Sequence, residues 1–195
     1  MASGVVPDWR SREEPEPLPE RLFLAVPLDP ATRRAVAARL PRALPGRRTD
    51  PAGWHLTLRF LGDTSRFRRE RLLDVLDDVA WPAPFTLRFG SLGAFPSPAR
   101  ARVLWLGVDE GTAELAALAR EASAAALDAG FAAADRFEPH LTLARFGEPT
   151  SVEALVRRAP PVVVPLEVPE VVLYRSERSL GPARYHVVAR FPLDG

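Results

Sequence analysis

Two stretches, Trp54-His55-Leu56-Thr57-Leu58-Arg59-Phe60 and Pro139-His140-Leu141-Thr142-Leu143-Ala144-Arg145-Phe146, share the tetrapeptide His-Leu-Thr-Leu and lie 85 residues apart. Polar and apolar side chains alternate in both, which is the period of a half-buried strand. Successive side chains of a strand point to opposite faces, so in each copy the leucines enter a core while His and Thr share the other face, roughly 6–7 Å apart. Packing accounts for the repeated leucines. It does not account for an imidazole and a hydroxyl at the same spacing on the other face of both copies.

The flanking segments repeat as well. RLFLAVPLDPATRRAVAARL from Arg21 aligns with RVLWLGVDEGTAELAALARE from Arg102, an offset of 81 residues. Each is an apolar run of strand length followed by a helix. Asp29-Pro30 signals a helix start that continues to about Arg42, and a second, alanine-rich helix is expected over about 112–128. Helices are further expected near 65–80 and 150–158, and strands over 85–95, 100–108, near 162–174 and over 184–191. The segment with Pro45, Gly46 and Gly53 reads as a loop. Two copies of about eighty residues are too few and too long for a solenoid. The expected fold is α+β: a single bilobal domain over 21–195 with repeat halves of about 21–100 and 101–195. Each lobe is a mainly antiparallel sheet with flanking helices, the lobes are related by a pseudo-two-fold axis, and the active cleft lies between them. Residues 1–20, with four prolines and five acidic side chains, read as a flexible tail.

Composition narrows the function classes. A chain of 195 residues that is 47% hydrophobic and 26% charged fits one globular domain and excludes disorder along its whole length. The absence of cysteine excludes a disulfide framework, a thiolate nucleophile and Cys-ligated metal. A net charge of +1 gives no global field for nucleic acid, so any RNA contact must come from a local basic cleft. No apolar stretch is long enough to span a membrane and residues 1–20 lack the apolar core of a secretion signal, so the protein is read as soluble, cytoplasmic and monomeric, with no membrane partner.

If the halves face each other, two imidazoles and two hydroxyls converge on one small anion. Such a pair suits in-line attack on a phosphodiester: one imidazole takes a proton from the nucleophile and the other gives one to the leaving oxygen, at a pKa near neutrality. Thr hydroxyls hydrogen-bond non-bridging phosphate oxygens. The arrangement requires no metal and no cofactor, and the sequence offers no His-x-x-x-His, Asp-x-His or Asp-x-Asp ligand motif. His186 has no Thr two residues on and is read as structural. Trp54, Phe60 and Phe137 neighbour the motifs and are read as core, with stacking of a terminal base as the alternative. Arg100 and Arg102 are read as a solvated strand edge rather than an RNA path.

WHLTLRFLG, PHLTLAR, the opening RLFLAVPL, the middle RVLWLGV and the closing LYRSERSLGPARYHVVARF together resemble the RNA 2′,3′-cyclic phosphodiesterases, also called 2′-5′ RNA ligases, of the two-histidine (2H) phosphoesterase superfamily. The resemblance covers about residues 21–192. It implies metal-independent hydrolysis of RNA 2′,3′-cyclic phosphate ends to 2′-phosphates, and in some members a reversible, ATP-independent 2′-5′ joining. It implies His55 and His140 as catalytic residues, His55 as the acid and His140 as the base, with Thr57 and Thr142 on the phosphate. It also implies Arg145 near the phosphate, although strict alternation turns Arg145 away from His140 and Thr142 unless the strand ends or bulges there. The competing readings are a non-catalytic RNA-end binding module and a 2H phosphodiesterase acting on a small cyclic phosphate.

Overall fold

The strand β1 (Glu20–Pro27) lies between β3 (His55–Thr64) and β8 (Glu170–Glu177) and runs antiparallel to both. This is a computed structural model, and it describes residues 18–134, 136–177 and 183–195. Between β1 and β3 come the helix α1 (Pro30–Arg39) and a two-residue strand, β2 (Arg47–Arg48), within the segment read as loop. The chain continues through α2 (Arg66–Asp77), β4 (Phe85–Phe95), β5 (Ala101–Glu110), α3 (Thr112–Asp128) and β6 (His140–Thr150). It ends with α4 (Glu153–Arg158), β7 (Pro165–Val168), β8 and β9 (Arg184–Pro192).

Local chemistry sets the helix ends. The Asp29 carboxylate accepts from the backbone N–H of Ala31 (2.8 Å) and Thr32 (3.0 Å), satisfying the first turn of α1. That helix stops at Arg39 rather than near Arg42, because Leu40 precedes Pro41 and is held extended, with ψ 149°. Gly111 opens α3 at φ +80°, where a Cβ would lie 2.8 Å from the Cβ of Leu87.

The strand order is β7-β4-β5-β6-β3-β1-β8-β9, with β2 added to β6. At its centre β3 meets β6 through the antiparallel pair Leu56 and Leu141. About that pair the order is symmetric: β3, β1, β8 and β9 form one lobe, and β6, β5, β4 and β7 form the other. The expected two-lobed α+β fold is therefore present, but the lobes are not the repeat halves. β4 lies in the first repeat half yet joins the second lobe, since the short connection through Pro96 and Pro98 pairs it with β5. β8 and β9 return to complete the first lobe.

Register also corrects the alignment of the repeats. Leu24 pairs with Arg59, and Leu104 pairs with Ala144. Arg59 and Ala144 hold matching places in β3 and β6, so Leu24 matches Leu104 at an offset of 80, not 81. A one-residue slip would exchange the faces of a strand. At 80, the buried Leu24 and Val26 coincide with the buried Leu104 and Leu106. These side chains, with Leu56, Leu58, Leu141 and Leu143, form one core with Leu72 and Leu76 of α2 and Leu115, Leu118 and Ala122 of α3.

Residues 1–17 of the expected tail lie outside the described residues, and its last residue, Glu20, belongs to β1. The Glu20 carboxylate bridges Arg69 (2.7 Å) and Arg175 (2.9 Å), tying α2 and β8 to the first strand. Among the described residues, no helix is long and apolar enough to cross a membrane.

Candidate active site

His55 and His140 each open a strand, and each is anchored in the same way. The 3-10 turn Pro51–Gly53, capped by Asp50, presents the Gly53 carbonyl to His55 Nδ1 at 2.8 Å. The Glu138 carbonyl meets His140 Nδ1 at 2.7 Å. A carbonyl only accepts, so Nδ1 carries the hydrogen in both rings and Nε2 is the atom left for chemistry. Tyr185 packs edge-on against His55 (5.0 Å between centroids, 87°), and Phe95 does the same to His140 (5.0 Å, 88°). The antiparallel Leu56–Leu141 pair sets His55 beside Thr142 and His140 beside Thr57, so the four polar groups form a square with the imidazoles on one diagonal.

Burial lowers the pKa of His55 to about 4, opposed by the Gly53 hydrogen bond and reinforced by the nearby charges of His140 and Arg145. Burial also lowers the pKa of His140, with Arg145 adding to the effect and Glu138 opposing it. Both imidazoles of the free protein are therefore neutral at pH 7.

A bulge in β6 turns Arg145 toward the cleft. Leu104 pairs with Ala144 but Trp105 pairs with Thr142, so Leu143 is an extra residue in β6. Leu143 and Ala144 are buried in succession, and Arg145 emerges on the face of His140 and Thr142. Its influence on both imidazoles agrees with that placement. The same bulge occurs in β3, where Leu24 pairs with Arg59 but Ala25 pairs with Thr57, leaving Leu58 extra. It turns Phe60 to the cleft face, where the side chain is 61% exposed. Phe60 is thus not a core residue. Among the described residues, neither threonine hydroxyl of the square nor the Arg145 guanidinium has a hydrogen-bond partner.

The other candidates separate cleanly. Trp54 is buried, and its Nε1 donates to Thr49 Oγ1 at 2.9 Å. Phe137 packs against the core. His186 pairs with Glu177 at 3.0 Å across β8 and β9. Arg102 donates to the Gly147 carbonyl, and Arg100 is exposed in the turn before β5. Sequence reading missed the aromatic wall of the first lobe, in which Phe23 lies 4.8 Å from His55, 6.1 Å from Phe60, 5.4 Å from Tyr174 and 5.2 Å from Tyr185 between centroids. These rings come from β1, β3, β8 and β9, and no local pattern marks their convergence. Among the described residues, no three of His, Asp and Glu cluster as a metal site.

A duplicated His-x-Thr cleft between the lobes of an antiparallel α+β sheet defines a two-histidine phosphoesterase. Residues 26–180 match the model of the 2′-5′ RNA ligase superfamily, and the chain belongs to that family. It is 37% identical over 182 residues to the RNA 2′,3′-cyclic phosphodiesterase of Geobacillus stearothermophilus, covering 89% of this chain but only 57% of that longer protein. It is 32% identical over 180 residues to the protein of the same name from Escherichia coli strain K12, covering 90% and 97%. Among solved structures, E. coli LigT complexed with 3′-AMP superposes with a TM-score of 0.75 at 31% identity, over 91% of this chain and 99% of that one.

Proposed function

We propose that the protein hydrolyses the 2′,3′-cyclic phosphate ends of RNA to 2′-phosphates, using His55 and His140 as general acid and base and neither metal nor nucleotide cofactor. The observation that carries this reading is the pair of Nδ1-anchored imidazoles set diagonally across two free Thr hydroxyls. The names of the relatives support the substrate class. Thr57, Thr142 and Arg145 bind the non-bridging oxygens, and the Arg145 charge strengthens its bond.

The two ends of the cleft give the substrate a direction. Along the strands, Arg145 lies on the His55 side of the Leu56–Leu141 pair and Phe60 lies on the His140 side. In ribose, C2′ adjoins the carbon that bears the base, whereas C3′ adjoins the carbon that leads to the 5′-linked chain. A base stacked on Phe60 and a backbone drawn toward Arg145 therefore set O3′ toward His55. Neutral His140 takes a proton from water, the water oxygen bonds to phosphorus, and the P–O3′ bond breaks as His55 protonates O3′. The products are a 2′-phosphomonoester and a free 3′-hydroxyl. A 5′-hydroxyl taking the place of water gives a 2′-5′ linkage by the same proton transfers.

The test is incubation of the purified protein, with EDTA and without ATP, with an oligonucleotide ending in a 2′,3′-cyclic phosphate. A 2′-phosphate end is expected. A 3′-phosphate end would reverse the substrate orientation, and tight binding without turnover would make the protein an RNA-end binding module.

A further inference from the structure

We infer that Arg47 is a second phosphate contact, holding the phosphodiester on the 5′ side of the terminal nucleotide and making the site select RNA ends over mononucleotides; this rests on the hydrolase reading above. Arg47 is in register with Arg145 across the β2–β6 pair, so the two residues share the cleft face. Like charges set directly opposite each other destabilise a strand pair. Both side chains are exposed, and among the described residues neither has an acidic partner. An anion lying across both removes that repulsion.

The strand that carries Arg47 is fixed at each end. Thr49 Oγ1 donates into the bulge, 2.8 Å from the Thr142 carbonyl and 3.0 Å from that of Leu143, while the Thr49 N–H donates to the Leu143 carbonyl at 2.9 Å. At the other end, Gly46 has φ +82°, and a Cβ there would lie 2.8 Å from the Phe146 ring and 2.9 Å from the Arg145 carbonyl. Only glycine brings the chain this close to β6 in this conformation. Arg47 is therefore held one strand spacing, about 4.8 Å, beyond Arg145. The corresponding end of the other lobe is aromatic: Phe60 is in register with Phe23. The paired arginines thus draw a polyanionic chain toward their end of the cleft.

The distinguishing measurement is the ratio of kcat/KM for a dinucleotide ending in a 2′,3′-cyclic phosphate to that for a nucleoside 2′,3′-cyclic phosphate, which lacks the second phosphate. The wild-type protein should favour the dinucleotide, and R47A should lower the ratio about tenfold, the effect of losing one charge-assisted hydrogen bond. R48A removes the same charge from the position that pairs with Ala144 and should leave the ratio as it is. Equal losses on both substrates, or R48A matching R47A, would overturn the inference. Binding of the dinucleotide 2′-phosphate product gives an independent readout: its affinity should fall less steeply with rising salt concentration in R47A than in the wild type or R48A. Failure of the wild type to turn over either substrate would count against the hydrolase reading, and the product-binding slope would still decide the role of Arg47.

Discussion

Phe60 and Arg145 are equivalent residues of the two repeats, each five positions after its histidine and each turned into the cleft by a bulge at the second leucine of the motif. The repeat thus sets two His-x-Thr pairs in matching places, and the difference between positions 60 and 145 helps make the ends of the cleft unlike: a flat apolar ring at one, a guanidinium at the other. The two should fail differently. Arg145→Ala should lower kcat/KM by about 10- to 100-fold on every cyclic phosphate, since it loses a charged hydrogen bond to the reacting group. Phe60→Ala should raise KM by about 5- to 100-fold on substrates with a base, the range for one stacked base, and have little effect on base-free ribose 2′,3′-cyclic phosphate. Equal effects of Phe60→Ala with and without the base would show that the ring packs rather than stacks.

His55→Ala and His140→Ala should each cost about 10²- to 10⁴-fold in kcat, with folding intact by circular dichroism. Thr57→Ala and Thr142→Ala each remove one neutral hydrogen bond and should cost about 2- to 10-fold. Activity should survive EDTA. A requirement for added metal after chelation, or a Thr variant more damaged than both His variants, would contradict the assigned roles.

The motif pair was legible in the sequence because each His-x-Thr falls within one strand, where period-2 alternation assigns the faces without tertiary information. The bulges were not legible. They depend on how β1 and β5 pair with β3 and β6, so strand alternation alone leaves the facing of Arg145 conditional and puts Phe60 in the core. β2 was hidden for a related reason: two arginines between Gly46 and Thr49 carry no hydrophobic period, and only the bulged carbonyls of β6 make a strand of them. The exchange of β4 and β8 between lobes is a property of the chain path, which a comparison of repeats along the sequence does not register.

Stability should fall on mild acidification. Burial holds the folded-state pKa of His55 near 4, against an ordinary value of 6.5, and lowers that of His140 as well. Above pH 6.5 both rings are neutral folded or unfolded, so neither affects the balance. As the pH falls from 6.5 toward 4 the unfolded chain binds protons that the folded chain excludes, and stability declines. For His55 the loss approaches about 3 kcal/mol at most. Urea midpoints measured across this window should drop for the wild type and drop less for His55→Asn. Identical pH dependence in both proteins would show that the His55 pKa is not depressed.

On the proposed mechanism, the acid at O3′ must hold a proton that the free cleft disfavours. The substrate supplies the remedy, because an anion beside a buried imidazole raises its pKa. Binding of a nucleoside 2′-phosphate near pH 6.5 should therefore take up protons, seen as a calorimetric enthalpy that varies with the ionisation enthalpy of the buffer. For kcat/KM, which reports the free protein, both limbs of the bell should lie at lower pH than unperturbed imidazoles would give, with the maximum below 6.5. The limbs belong to the pair, so the roles need a separate test. In a 3′-deoxynucleoside 2′-(4-nitrophenyl phosphate) the nitrophenolate leaves from the place of O3′ without needing a proton. His55→Ala should regain activity on it, with a rate that rises with pH to a plateau as His140 loses its proton, whereas His140→Ala should stay slow. Rescue of His140→Ala instead would exchange the two roles and reverse the substrate in the cleft, moving the 5′ phosphodiester away from Arg47.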